Sequence, residues 1–214
     1  MRARARNQIR RKFYQDRLRS DLGHALELAL TDPLTGARNR RFLDEFAQRG
    51  PLQWGCIVID LDGFKAVNDV YGHSVGDRFL QAIGARLRDV VRERDTLARL
   101  GGDEFAILQC DVGSNYDVAE FSARICEAIA AFTDPEIPQM KSTGSIGVAI
   151  HPNDGADPEE LLRNADLAMY KAKAEGGNAY CLFAADMQAR ARSAMNLETD
   201  LRMALANEEF VLYY

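Results

Sequence analysis

The stretch Leu100-Gly101-Gly102-Asp103-Glu104-Phe105-Ala106-Ile107-Leu108 constrains this chain more than any other. Apolar-rich runs, Thr96 to Leu100 and Phe105 to Gln109, flank the Gly-Gly pair, an order that predicts two short strands joined by a tight hairpin. Glycine reaches φ > 0 without steric cost, which suits such a turn and lets another backbone or a ligand come close. Two adjacent carboxylates, Asp103 and Glu104, stand at the tip. Alone, they fit a solvated acidic turn as well as a working site. The stretch Cys56-Ile57-Val58-Ile59-Asp60-Leu61-Asp62 weighs toward the site: it reads as a buried strand that ends in two acids. Residues i and i+2 of a strand share a face, so Asp60 and Asp62 point the same way. If the two acid-tipped strands pair, several carboxylates gather at one end of a sheet. They repel one another unless protonated or bridged by cations, and hard oxygen donors favour Mg²⁺.

The 214 residues suffice for one sizeable core with extensions. Hydrophobic residues at 47% and charged residues at 28% place the chain among globular proteins, and no run approaches the roughly 18 apolar residues of a membrane span. The basic N-terminus lacks the apolar stretch of a secretory signal. Cys56, Cys110, Cys126 and Cys181 have no C-x-x-C spacing and read as reduced cysteines of a cytosolic protein. Residues 1–20 carry net charge +7, against −12 for the remainder. So acidic a body needs metal ions and placed cations to receive a polyphosphate. The basic head has the charge for nucleic acid or lipid, but with only Phe13 and Tyr14 interleaved it reads as a solvated helix face, and no nucleic-acid partner is expected.

Residues 7–31 predict one long helix in which Leu18, Leu22, Ala25 and Ala29 begin a coiled-coil seam; packing on its own domain is the alternative. Thr31 or Asp32 with Pro33 ends it. Asn39 is placed to cap the next helix. A strand follows from Trp54 to Asp60, then a short helix (Phe64 to Val70), a longer one from about Ser74 to Val91, and the hairpin. A helix over Asp117 to Phe132, a strand over Thr143 to Ile150, a helix over Pro158 to Ala174 and a closing strand over Ala179 to Phe183 complete the pattern. This order argues an α/β or α+β fold. Ala184 to Ala206 reads as a further helix, and Glu208 to Tyr214 as the start of a strand.

Four motifs in order carry a family resemblance. Gly101-Gly102-Asp103-Glu104-Phe105 spells the signature of GGDEF domains, the diguanylate cyclase family. Asp60-Leu61-Asp62-Gly63-Phe64-Lys65-Ala66-Val67-Asn68-Asp69 resembles its D-x-D-x-F-K-x-x-N-D segment, and Gly72-His73-Ser74-Val75-Gly76-Asp77 its G-H-x-x-G-D. Asp32-Pro33-Leu34-Thr35-Gly36-Ala37-Arg38-Asn39-Arg40 is similar to the opening D-x-L-T-G-L-x-N-R, with Ala37 in place of Leu. The resemblance implies a βαββαβ palm-like nucleotidyl cyclase core, a central, mainly antiparallel sheet flanked by helices, over residues 32–184. Residues 1–31 are then a linker or coiled-coil helix. Residues 185–214 resemble the linker and first strand of a truncated EAL domain, the cyclic di-GMP phosphodiesterase module. The resemblance further implies a longer protein, with an upstream signal-input domain and a downstream EAL domain.

The implied reaction condenses two GTP molecules into cyclic di-GMP and two pyrophosphates, by attack of a 3′-hydroxyl on an α-phosphorus. By the family pattern Asp60, Asp103 and the Leu61 carbonyl hold two Mg²⁺, which Mn²⁺ can replace, and Glu104 completes the cluster. Asp103 or Glu104 accepts the hydroxyl proton. Gly63, Phe64, Lys65, Gly101, Gly102 and Lys173 line the substrate site. Asn68 and Asp77 read guanine, whose N1–H and N2–H₂ suit a carboxylate; helix capping is the ordinary role for each. Asp62 reads as a strand-end or capping acid. Gly177 stands where the family's A-K-x-x-G-R-N has Arg, which removes one phosphate fork, with Lys171 or Arg163 as candidate compensators. Arg92-Glu93-Arg94-Asp95 matches the R-x-x-D product-inhibition site, Arg92 and Asp95 being the binding pair; an ordinary surface ion pair is the alternative. Because one protomer holds one GTP, activity requires a homodimer. A non-catalytic GTP or cyclic di-GMP sensor that regulates an adjacent EAL phosphodiesterase is the competing reading.

Overall fold

In a computed structural model of the chain, the residues described are 2–49, 53–134, 141–207 and 209–211. The first element is α1 (Arg2–Ala29). Three of its exposed leucines, Leu18, Leu22 and Leu26, repeat every four residues and so share one face; Leu28 is exposed off that row. From Lys12 onward every described side chain of α1 is exposed, so over that stretch the helix does not pack along its own domain.

The turn after α1 is built by Asp32. Its Oδ1 accepts hydrogen bonds from the Thr35 backbone N–H at 2.8 Å and the Thr35 hydroxyl at 2.7 Å. A two-residue strand, β1 (Arg38–Asn39), follows and pairs in parallel with β3 (Thr96–Gly101). Asn39 caps α2 (Arg40–Arg49) as expected: its Oδ1 accepts from the Arg41 N–H at 3.0 Å, and its amide donates to the Ala29 carbonyl at 2.8 Å.

The core follows as β2 (Trp54–Asp62), α3 (Phe64–Tyr71), α4 (His73–Val90), β3, β4 (Glu104–Cys110), α5 (Asn115–Ala130) and β5 (Thr143–His151), the βαββαβ order with two helices, α3 and α4, in its first connection. Then α6 (Pro158–Ala174) and β6 (Ala179–Leu182) close the sheet, and α7 (Asp186–Ala206) leaves it. The strand order is β1-β3-β4-β2-β5-β6. The central pairs are antiparallel and the two outer pairs, β1 with β3 and β5 with β6, are parallel. Alternation along β2 divides the core: Ile57, Ile59 and Leu61 join the cluster with Phe79, Ile83, Phe121 and Ile125 of α4 and α5. Cys56 and Val58 join Leu43, Leu161 and Ala165 of α2 and α6 on the opposite face. The four cysteines are free thiols, and burial pushes Cys56 up to about 12, which leaves it inert.

The strand expected from Glu208 is not seen over residues 209–211, which have no regular structure; Glu208 and residues 212–214 lie outside the described residues. No helix among the described residues is long and apolar enough to cross a membrane.

Candidate active site

The register of β2 and β4 places Asp60 directly opposite Glu104. Such partners have Cβ atoms about 5 Å apart and share a face, here the face covered by α6. Beyond that last cross-strand pair, the hairpin tip carries Asp103. Gly101 (φ 144°) and Gly102 (φ 52°) take conformations that a side chain would strain, which explains the glycine pair. The tip is tied down twice. The Leu61 N–H donates to the Asp103 carbonyl at 3.4 Å. The Arg99 guanidinium donates to the Gly102 carbonyl through Nε at 3.0 Å and Nη2 at 2.7 Å.

Electrostatics follow from this crowding. Partial burial, then repulsion from Asp60, holds the Asp103 carboxyl above its usual range. Burial, then Asp60 and Asp103, does the same for Glu104. Asp60, only 8% exposed, bonds the Lys173 ammonium at 2.7 Å. That bond and the surrounding carboxylates raise the Lys173 pKa. Lys173 reaches Asp60 because α6 returns the chain to this end of the sheet, and a cation is favoured in a helix's last turn. Among the described residues no three acidic, His or Cys side chains close on one point. Asp60, Asp103 and Glu104 nevertheless lie at one end of the sheet, and carboxylate oxygens are the donors that suit a hard divalent cation.

Asp62, two residues along the same face, has a different role. Its carboxylate accepts from Thr143 Oγ1 at 2.6 Å, Ser145 Oγ at 2.6 Å and the Asn178 N–H at 3.0 Å. It is the strand-end acid that the sequence suggested, and it locks β5 and the α6–β6 turn to β2. Gly177 in that turn has φ 71°, and a Cβ there would lie 2.9 Å from Asp62 Oδ2. The candidate compensators form loose, exposed pairs on the surface: Lys171 with Glu175 at 3.9 Å and Arg163 with Glu160 at 3.8 Å.

On the other side of β2, α3 starts at Gly63 (φ 74°) with Phe64 and Lys65 as its first residues. Helix-starting N–H groups have no intrahelical partner and attract anions. Asn68 of α3 lies against α4 at Gly76, where a Cβ would meet Asn68 Oδ1 at 1.9 Å. The missing side chain therefore lets the amide sit beside the turn that carries Asp77. Asp77 itself corrects an expectation: α4 begins at His73, so Asp77 is in its second turn, and the helix has no side-chain cap. Asp77 is exposed.

Arg92 and Asp95 do not form the surface ion pair that was the ordinary reading. Asp95 is 8% exposed; its Oδ1 accepts from the Cys110 N–H at 2.9 Å, while its Oδ2 is buried without a hydrogen-bond partner. Asp95 and Arg92 line a cleft of about 590 Å³ with Glu27, Gly36, Arg38 and Arg88.

Sequence reasoning missed three features. Asp166 of α6 and Arg40 of α2 flank Glu104: loss of hydration and the Glu104 charge push Asp166 up to about 6, and Arg40 opposes them. Arg99 also reaches Asp32, at 3.2 Å and 3.3 Å. Lys173 binds a carboxylate where a phosphate contact was expected. The one signal for Asp62 was the shared two-residue period of Asp60/Asp62 and Thr143/Ser145.

The family model described as "Diguanylate cyclase, GGDEF domain" matches residues 29–179. The chain is 40% identical over 196 residues to the bifunctional diguanylate cyclase/cyclic di-GMP phosphodiesterase MucR of Pseudomonas aeruginosa, covering 88% of the chain and 28% of that protein. The GGDEF domain of PA1120 (TpbB or YfiN) from Pseudomonas aeruginosa superposes with a TM-score of 0.69 at 32% identity, over 76% of this chain and 99% of that one. The coiled coil and GGDEF domain of DgcB from Caulobacter crescentus, solved with cyclic di-GMP, gives 0.69 at 26% identity, over 80% and 94%. This chain thus spans little more than a quarter of MucR's length. Its matched region, its sheet order and its hairpin place the chain in the GGDEF diguanylate cyclase family.

Proposed function

We propose that this chain condenses two GTP molecules into cyclic di-GMP and two pyrophosphates. The observation that carries the reading is the direct pairing of Asp60 with Glu104 beneath a tethered Asp103, next to the start of α3. Guanine is read by Asn68 and Asp77. The triphosphate lies over the N–H groups of Phe64 and Lys65 and meets the ammonium groups of Lys65 and Lys173. Gly63, Gly101 and Gly102 leave the backbone bare on both sides of it. Asp60, Asp103, Glu104 and the Leu61 carbonyl would hold Mg²⁺, which neutralises phosphate charge and acidifies the attacking hydroxyl. Asp103 and Glu104, at the hairpin tip, are the carboxylates suited by position to accept that proton.

The reaction joins two nucleotides, so two copies must face each other. The exposed Leu18, Leu22 and Leu26 row on α1 supplies a seam for a parallel pair, and specific activity should rise with protein concentration. Product binds the cleft that Arg92 and Asp95 line, where the Arg92 guanidinium offers a planar fork to a phosphate or a guanine edge. A regulatory sensor for an adjacent EAL domain is the second reading, favoured by Gly177 in place of an arginine. Incubation with Mg²⁺ and GTP, followed by chromatography of the products, separates the two: the sensor binds nucleotide and releases no pyrophosphate.

A further inference from the structure

Asp60 and Asp62 share a strand face, yet their charges are compensated in different ways. Asp62 is satisfied by three neutral donors of the framework, at 2.6 Å, 2.6 Å and 3.0 Å. These belong to strand β5 and to the backbone of the α6–β6 turn and stay in place whatever binds. Among the described residues, the one side chain that bonds the Asp60 carboxylate is Lys173, at 2.7 Å. The Asp60 side chain is 11% exposed and that of Lys173 is 47% exposed. A nearly buried carboxylate needs a partner, and this partner is the end of a flexible side chain that reaches into solvent.

An ammonium on Asp60 Oδ1 neutralises the carboxylate charge that would attract a divalent cation. Two cations do not share one carboxylate edge without strong repulsion. We propose that Lys173 is a positioning residue that holds Asp60 against free divalent metal, and that it moves to the incoming triphosphate when metal and nucleotide arrive together. The triphosphate then takes over the ammonium at the moment that metal takes over the carboxylate. By linkage, each of the two ligands tightens the other. The nucleotide-free site has little affinity for metal, and the substrate is the metal–GTP complex. With glycine at position 177, this transfer places on Lys173 a larger share of the charge that meets the triphosphate. The inference rests on the reading of Asp60 as a metal ligand.

Binding of Mn²⁺, read by electron paramagnetic resonance, tests the proposal without turnover. Titrations are run with and without the unreactive analogue guanosine 5′-(α,β-methylene)triphosphate. The wild type should bind protein-associated Mn²⁺ about tenfold more tightly with the analogue than without it, within the usual range of coupling. Lys173→Met should bind Mn²⁺ alone about tenfold more tightly than the nucleotide-free wild type does, and lose most of the coupling. Lys173→Arg, which keeps the cation, should retain the wild-type pattern. Equal nucleotide-free Mn²⁺ affinity in wild type and a Lys173→Met variant with an unchanged melting temperature would overturn the proposal alone. Asp60→Asn should lose Mn²⁺ in both states; unchanged Mn²⁺ affinity in that variant would overturn the metal reading of Asp60 and the proposal with it.

Discussion

Arg99 and Asp32, 67 residues apart, form an ion pair at 3.2 Å with both side chains largely covered. The same guanidinium holds the Gly102 carbonyl of the hairpin tip. One side chain thus joins the turn after α1 to the strand pair that carries the carboxylates. A change in how α1 leaves the domain has a direct route to the active-site end of the sheet.

Loss of hydration raises the pKa of Asp32, but hydrogen bonds from Thr35 and Arg99 outweigh it, and the carboxyl titrates below its usual range. A lowered folded-state pKa means that the stabilisation is complete above the unfolded value, about pH 3.9, and is lost as pH falls through the folded one. Asp32→Asn should therefore cost about 2 kcal/mol at pH 7, the scale of hydrogen bonds to a charged group. Urea unfolding at pH 7 and pH 3 should show that difference shrinking at the lower pH.

Gly76 makes room for Asn68, and Asp77 is its neighbour in α4. Asp77→Ala should raise the Kd for GTP far more than that for ATP, since adenine lacks the N1–H and N2–H₂ donors. Gly76→Ala forces the Asn68 amide away and should weaken GTP in the same selective way. Calorimetric titration with both nucleotides checks it; an equal loss for the two would leave Asp77 without a role in base choice.

The four motifs were legible because they put glycines and carboxylates where turns and strand ends require them, and the period of β2 gave Asp60 and Asp62 a shared face. Strand β1 was not legible: two residues have no period, and they pair only because β3 is beside them. The Lys173–Asp60 and Arg99–Asp32 contacts span 113 and 67 residues. No local pattern encodes them; they follow from the return path of α6 and the closing of the turn after α1.

Asp95 accepts from the Cys110 N–H and lines the cleft with Arg92. Asp95→Ala should therefore destabilise the fold by about 1–3 kcal/mol, the cost of an unsatisfied buried donor. Arg92→Ala is the cleaner probe. It should leave GTP affinity and initial rate unchanged and let cyclic di-GMP accumulate beyond the wild-type plateau. An identical plateau and identical product affinity would remove Arg92 from regulation.

The central claim is that the paired carboxylates drive GTP condensation, and product analysis of wild type beside Asp103→Asn tests it most directly. Each protein is incubated with Mg²⁺ and GTP, and cyclic di-GMP and pyrophosphate are quantified by chromatography and mass spectrometry. The wild type should release two pyrophosphates per cyclic di-GMP. Asp103→Asn should fall by roughly two to three orders of magnitude, the scale of losing one group aimed at developing charge. Its melting temperature should be unchanged or higher, because the substitution relieves repulsion from Asp60. No cyclic di-GMP from folded, GTP-binding wild-type protein, or equal product from both proteins, would contradict the account.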